Sequence, residues 1–167
     1  MFVREEARLG VGFAAARSAL ADLALGGLLL DASQAAYGDG VTSMAKVGPP
    51  GAWPDLSKLV MIHLGDMTPH DESARLALRW EATGPGSSLF PALDADITLT
   101  PAGDDATTLT LTGVYRPPLG RLGAVLDRAI LSRVASATVR DFVSRLGAAI
   151  EGSSADADQR DVDEHRS

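Results

Sequence analysis

The sequence predicts an α+β protein in which a curved antiparallel sheet of about six strands lies under one long C-terminal helix. Three observations support this prediction. Several segments alternate apolar and polar residues with a period of two, which is typical of strands with one wet face. Two prolines, Pro117 and Pro118, end the last of these segments. An apolar stripe with helical spacing then runs to Ile150.

The first predicted elements are a strand and two short helices. Residues 2–10 alternate, with Glu5 as the exception on the apolar side. Residues 13–25 are rich in alanine and other strong helix formers, and the pair of glycines that follows should end this helix. Residues 28–37 predict a second short helix, which ends at the stretch GDG.

Five further strands are predicted before the long helix, separated by turns rich in glycine, proline and aspartate. They span residues 41–47, 58–64, 75–83, 93–99 and 108–115. The stretch GDMTPHDES, between the second and third of these, is predicted to be a turn. A sheet and a helix that each have one apolar face must bury those faces against each other.

Composition limits the classes of function. A length of 167 residues suggests one domain, and the absence of cysteine excludes disulfides, a thiol nucleophile and cysteine ligands for zinc. A cytoplasmic location is the simplest interpretation. No stretch of 18 apolar residues occurs and residues 1–10 lack an apolar core, so we expect neither a membrane span nor a signal peptide. Abundant alanine and arginine indicate a bacterium with a GC-rich genome.

The formal charge of −7 is unevenly distributed. Residues 151–167 contain six acids, two arginines and a single aliphatic residue larger than alanine, which predicts a disordered acidic tail after a domain of residues 1–150. The first 150 residues contain 16 acids and 13 bases. This nearly neutral domain offers no basic surface for nucleic acid.

The order of elements, strand, two helices, five strands and long helix, resembles the START-like superfamily, whose SRPBCC proteins have the helix-grip fold. The supporting stretches are the helix pair broken at Gly26 and Gly27, the hairpin RWEATGPGSSLFPALDADITLTP, and YRPPLG before the last helix. The superfamily includes lipid-transfer domains, plant hormone-binding proteins and bacterial polyketide cyclases. The resemblance covers residues 2–150 and implies an apolar cavity between sheet and helix, but a shared fold does not assign a function.

Candidate residues for lining that cavity come from the apolar strand faces and from two ionisable positions. They are Leu78, Trp80, Ile97, Leu111, Tyr115, His63 and Arg133.

The aromatic candidates, Trp80 and Tyr115, combine a flat apolar body with one polar group, which suits a ligand, although core packing explains them equally well. Arg133 lies near the apolar stripe and could meet a carboxylate of a ligand, pair with Glu5, or reach water. For His63, a histidine that faces solvent is the favoured alternative.

A dinucleotide-like pattern occurs in RLGVGFAAARSAL, where Gly10, Gly12 and Ala15 fit G-x-G-x-x-A and Asp31 follows at a suitable distance. The preceding strand carries four charges, whereas the first strand of a nucleotide-binding sheet is buried on both faces. We therefore expect no bound nucleotide or other cofactor, and we interpret the glycines as a turn. Three histidines make a multi-histidine metal site improbable, and no G-x-S-x-G motif marks a nucleophile.

Three hypotheses about function remain. The first is binding or transport of a small hydrophobic or amphipathic ligand, lipid or polyketide-like, in the cavity. The second is a cyclase or aromatase that holds a polyketide-like chain in a reactive shape, with Tyr115, Arg133 or His63 as acid–base groups. The third is an interaction module with a filled cavity, which meets a partner through loops that contain Trp53 and Phe90. A homodimer is compatible with each.

Overall fold

The computed structural model describes residues 1–27, 29, 31–36, 60–70, 72–82, 92–116 and 128–164. The elements are β1 (Phe2–Leu9), α1 (Phe13–Leu25), a short helix α2 described at residues 29 and 31–36, β2 (Val60–Leu64), β3 (Thr68–His70), β4 (Ser73–Ala82), β5 (Ala92–Pro101), β6 (Thr107–Arg116) and α3 (Arg128–Glu164). The predicted α+β class, with an antiparallel sheet and a long C-terminal helix, is confirmed.

The six described strands form one antiparallel sheet in the order β1-β6-β5-β4-β2, and β3 also pairs with β4. The first strand therefore lies beside the last one, and the hairpin β5–β6 occupies the middle of the sheet. Alternation along β1 follows the prediction, with Val3 and Leu9 buried and the basic and acidic neighbours exposed.

One face of the sheet, the inner face, carries the apolar side chains of β4, β5 and β6. They are Ala74, Leu76, Leu78, Trp80, Leu93, Ala95, Ile97, Leu99, Leu109, Leu111 and Tyr115, and all are buried. The register places them in rows across the strands, such as Trp80, Leu93 and Tyr115. The opposite, outer face carries arginine, aspartate and threonine side chains.

The row next to Trp80 contains small residues where β5 and β6 come close together. Ala95 is paired with Gly113, and a Cβ atom added at Gly113 would lie 2.4 Å from the carbonyl oxygen of Asp94 and 2.5 Å from the Cβ of Ala95. Only glycine fits this backbone approach in the strand interior.

Helix α3 packs across the inner face in the helix-grip arrangement. Its buried side chains include Ala135, Val139, Phe142, Val143, Leu146 and Ile150. The helix also lies against β1, because a Cβ atom added at Gly147 would be 3.1 Å from the Cδ2 of Leu9. The apolar stripe predicted from the sequence therefore faces the sheet over its described part.

Helix α1 has the predicted bounds and packs against α3, and its buried residues are Ala16, Ala19, Leu20 and Leu23. It ends where Gly26 donates a hydrogen bond from its amide to the carbonyl of Asp22 (2.7 Å), and Gly27 adopts a φ of 81°, which favours glycine. At the other end, a Cβ atom on Gly12 would lie 3.1 Å from the carbonyl oxygen of Asp104. Close packing at the strand-to-helix turn thus gives Gly12 of the G-x-G-x-x-A pattern a structural role.

The predicted disordered tail from residue 151 is wrong for residues 151–164, which continue α3 as helix. Glu151 accepts a hydrogen bond through Oε1 from the amide of Gly10 at 2.7 Å. Ser154 is buried and donates to the carbonyl of Ile150 at 2.9 Å. A polar segment extends a helix at low cost once the preceding turns are formed, because only nucleation is expensive.

The predicted turn between β2 and β4 is also wrong in part, because it contains the short strand β3. Thr68 is paired with Arg75 and His70 with Ser73, which makes a tight hairpin with β4. The strand predicted at residues 41–47 and the predicted first turns of the long helix lie outside the described residues.

A methyl group at Gly113 tests the close approach of β5 and β6. We expect Gly113→Ala to destabilise the protein by about 1–3 kcal/mol, the usual cost of overpacking. Gly152→Ala is the matched control, because nothing lies within 4 Å of its added Cβ and alanine in a helix gains about 0.5–1 kcal/mol over glycine. Urea unfolding measures both changes, and equal effects of the two substitutions would contradict the close approach.

Truncation tests whether the end of α3 contributes to the fold. Deleting residues 151–167 removes the contacts of Glu151 and Ser154, so we expect a loss of about 1–3 kcal/mol. Deleting residues 156–167 keeps both contacts and should cost less than about 0.5 kcal/mol. If thermal unfolding showed both truncated proteins to be as stable as the full chain, these contacts would contribute nothing.

Candidate functional site

The structure brings five of the seven candidate residues together on the inner face. These are Leu78, Trp80, Ile97, Leu111 and Tyr115, and each is at most 2% exposed. They lie on the three neighbouring strands β4, β5 and β6, because alternation along each strand sends every second side chain toward α3. The shared face is what the period-two pattern predicts.

The aromatic candidates form one end of this surface together with a residue from the helix. Trp80 and Phe142 pack edge to face, with ring centroids 5.1 Å apart and ring planes at 89°. Leu93 separates Trp80 from Tyr115 in the same row. We call Trp80, Leu93, Tyr115 and Phe142 the aromatic end.

Phe142 was not among the predicted site residues. Its place on the apolar stripe of the long helix was visible in the sequence. The pairing of that stripe with Trp80 depends on how far α3 is displaced along the sheet, which the spacing of apolar residues does not specify.

The aromatic end carries two polar atoms within an apolar surface. Nε1 of Trp80 and the hydroxyl oxygen of Tyr115 are both buried. The backbone of Tyr115 is held at the start of the chain, since its amide donates to the Met1 carbonyl (2.8 Å) and its carbonyl accepts from the Met1 amino group (2.6 Å). These contacts fix the strand from which the Tyr115 side chain projects.

His63 does not belong to this group. It is paired with Arg79 across β2 and β4, so it projects from the outer face. Its side chain is 52% exposed and its Nε2 lies 3.3 Å from a carboxylate oxygen of Glu81. The placement of His63 in the cavity is therefore corrected, and the alternative of a histidine facing solvent agrees with the structure.

Arg133 is exposed on α3 and is not part of the inner surface. The partner that Glu5 takes on the helix is Arg140, whose Nη2 lies 3.4 Å from the Glu5 carboxylate. Arg140 is seven residues, or about two turns, further along α3 than Arg133. Glu5 is thus paired with the helix that covers it, but through a different arginine from the Arg133 that was one of the alternatives.

The outer face contains two adjoining grooves that the sequence did not predict. One, of about 700 Å³, is lined by Asp66, Thr68, Ser73, Arg75, Ala77, Asp96, Thr98 and Thr112. The other, of about 580 Å³, shares Ala77, Asp96 and Thr112 with the first and is also lined by Phe2, Asp94, Ala95, Gly113, Val114 and Arg116. Arg75 donates a hydrogen bond from its guanidinium to the carboxylate of Asp96, and this raises the pKa of Arg75 above its ordinary value. Since arginine is charged at all working pH values, this shift adds no pH dependence.

The described inner surface is covered by protein atoms, so the predicted cavity stays a prediction. Leu93, Ile97, Leu111 and Phe142 have no exposed surface. Within the described ranges there is no group of three or more metal-ligating side chains. Nor does that part of the chain contain a helix long and apolar enough to cross a membrane.

Comparison with known proteins finds solved structures that are similar to this chain. No protein-family model and no curated protein matches the sequence. A conserved protein from Geobacillus kaustophilus is 20% identical over 92% of this chain and 97% of its own, with a TM-score of 0.52. The hypothetical protein jhp0584 from Helicobacter pylori is 12% identical over 89% of this chain and 86% of its own, with a TM-score of 0.51.

A third solved structure is the Zhui aromatase/cyclase from Streptomyces sp. R1128. It is 12% identical over 92% of this chain and 93% of its own, with a TM-score of 0.39. The first two structures share their fold with this chain over nearly its whole length. At these identities a common fold carries no activity across, and nothing is concluded from the third.

Truncation of Trp80 measures how completely the aromatic end is packed. Because Trp80 is 1% exposed and in contact with Phe142, we expect Trp80→Ala to cost about 3–5 kcal/mol. Leu109→Ala, at a fully buried position two rows beyond the pair Ala95 and Gly113, is the control and should cost about 2–5 kcal/mol. A loss below about 1 kcal/mol for Trp80→Ala in urea unfolding would show that this side chain already borders empty space.

Proposed function

We propose that this protein binds a small hydrophobic or amphipathic molecule, lipid or polyketide-like, between α3 and the inner face at the aromatic end. The observation that supports the proposal is that Trp80 and Tyr115, each a flat apolar ring with one polar group, lie in one row of the apolar inner face. Sites for small molecules are mostly apolar and use a few polar groups to orient the ligand.

The aromatic end lies at one end of the described sheet. Trp80 lies two residues from the end of β4, Leu93 is the second residue of β5, and Tyr115 is the last but one of β6. All three therefore belong to the outermost row of the three strands on the inner face. The rows beyond, from Leu76 to Leu109, serve as core.

Binding at this place requires a local movement, because Phe142 contacts Trp80. A ligand that separates the two rings must replace their contact with contacts of its own, and it selects conformations in which α3 stands away from the sheet at this end. The two fixed contacts of α3 with the other end of the molecule, at Leu9 and Gly10, would not change. In this proposal α3 moves away from the sheet at the aromatic end while its contacts at Leu9 and Gly10 stay in place.

The cyclase hypothesis has less support. Of its three acid–base candidates, His63 projects from the opposite face and Arg133 is exposed, which leaves Tyr115 alone on the inner face. The interaction-module hypothesis is supported by the complete burial of the inner face. It is therefore retained as the second candidate.

Ligand binding is best tested with Trp80 as its own reporter. In a Trp53→Phe protein the remaining tryptophan is at the proposed site, since the sequence has two. We expect the dye ANS and a long-chain fatty acid to bind saturably to the native protein and to change Trp80 fluorescence. Near-UV circular dichroism must show native packing, because ANS also binds molten states.

The Tyr115 hydroxyl provides the specific variant. Tyr115→Phe should weaken fatty-acid binding about 2- to 10-fold, the value of one hydrogen bond. The matched control is Tyr37→Phe, the same change at the other of the two tyrosines. Should neither probe bind, and native mass spectrometry find no small molecule with the purified protein, the interaction module would replace ligand binding.

A further inference from the structure

Strand β1 lies at one edge of the sheet that the described strands form. Among the described strands it pairs only with β6, and it is the first strand in the order of the sheet. Met1 and Tyr115 exchange two backbone hydrogen bonds, so the odd-numbered residues of β1 direct their amides and carbonyls toward β6. The even-numbered residues, Phe2, Arg4, Glu6 and Arg8, direct theirs away from the sheet.

The side chains along this edge are exposed and alternate in charge. Phe2 is 70% exposed, and Arg4, Glu6 and Arg8 are exposed beside it on the outer face. Charges on an edge strand ordinarily prevent pairing with another chain. Here they prevent some alignments and favour others, because Arg4 and Glu6, at equal distances on either side of Glu5, are opposite in charge.

Two copies of β1 can pair as antiparallel strands only where outward amides meet outward carbonyls, so an even-numbered residue must oppose an even-numbered one. The alignments centred on Arg4 and on Glu6 place identical exposed charges opposite each other on the outer face. The alignment centred on Glu5 places Arg4 opposite Glu6 twice and matches residues 2–8. The alignment centred on Ala7 also opposes unlike charges, but it matches only residues 5–9 of the strand.

We propose that this surface is a homodimer interface, in which β1 pairs with β1 of a second copy about a two-fold axis at Glu5. The two sheets would join into one continuous antiparallel sheet, with like faces on the same side. Such an interface is isologous, as the closed symmetry of a dimer requires.

The remaining side chains fit the same alignment. Phe2 lies opposite Arg8 of the second copy, which allows the guanidinium to lie on the aromatic ring. On the inner face the two Glu5 side chains meet at the axis. Each has the Arg140 guanidinium of its own chain within 3.4 Å, so the acids do not meet as uncompensated charges.

The cross-strand charges allow a reversal experiment on the full chain. Sedimentation velocity from about 1 μM to about 1 mM should show the wild-type protein passing from monomer to dimer, since a single pair of strands is a small interface. Glu6→Arg and Arg4→Glu each place like charges opposite one another twice, and each should weaken dimerisation at least about 10-fold. The double variant Arg4→Glu/Glu6→Arg restores unlike pairs and should dimerise as the wild type does.

Controls separate the interface from charge and folding. Glu72→Arg makes the same change of net charge as Glu6→Arg, but at an exposed turn beside β4 and away from β1. It should leave dimerisation unchanged. Circular dichroism should show each variant folded, because the substituted side chains are exposed. A wild-type protein that is monomeric throughout, a dimer insensitive to either single reversal, or a double variant that stays monomeric would each overturn the proposal.

Discussion

Burial of the inner face under α3 is the interaction on which the rest of the described structure depends. An antiparallel sheet with one apolar face and a helix with one apolar stripe are each unstable alone in water. Two contacts hold the helix in place, one where Gly147 packs against Leu9 and one where Phe142 meets the ring of Trp80. The first fixes α3 against the edge strand and the second against the far end of β4. Between them the helix has one position along the sheet, and the rows of side chains below it follow.

Much of this architecture was predictable from local patterns. The alternation along β1, β4, β5 and β6 fixed which side chains share a face, since a strand with one wet side leaves no other arrangement of period two. Two glycines after Leu25 fixed the end of α1. The patterns failed where structure depends on a neighbour. Residues 68–70 carry no alternation of their own and become a strand because β4 offers them a partner. Residues 151–164 carry no apolar stripe and are helical because the helix before them is formed.

The candidate site was predictable where the facing of a residue follows from alternation within its own strand. The prediction failed where the facing depends on a neighbouring element. Leu78, Trp80, Ile97, Leu111 and Tyr115 were placed by alternation within their own strands. His63 lies in a run of mostly apolar residues, whose facing cannot be read from the strand alone, and its register with Arg79 places it outside. Arg133 lies at the margin of a helical stripe, where a small rotation of the helix decides between burial and exposure. Glu5 needed a cation from the helix, but the sequence could not distinguish Arg133 from Arg140.

The pairing of β1 with β6 has a consequence for the order of events during synthesis. Strand β1 is made before the other described strands but pairs only with the hairpin that ends more than one hundred residues later, and its turn at Gly10 is held by Glu151, 141 residues away. Contacts between such distant parts of a chain form slowly, because a long loop must close before they stabilise anything. Until then β1 also lacks the partner that β6 provides. The charges along it disfavour the alignments that oppose like charges, and so restrict how a nascent chain can pair with its neighbours before it is folded.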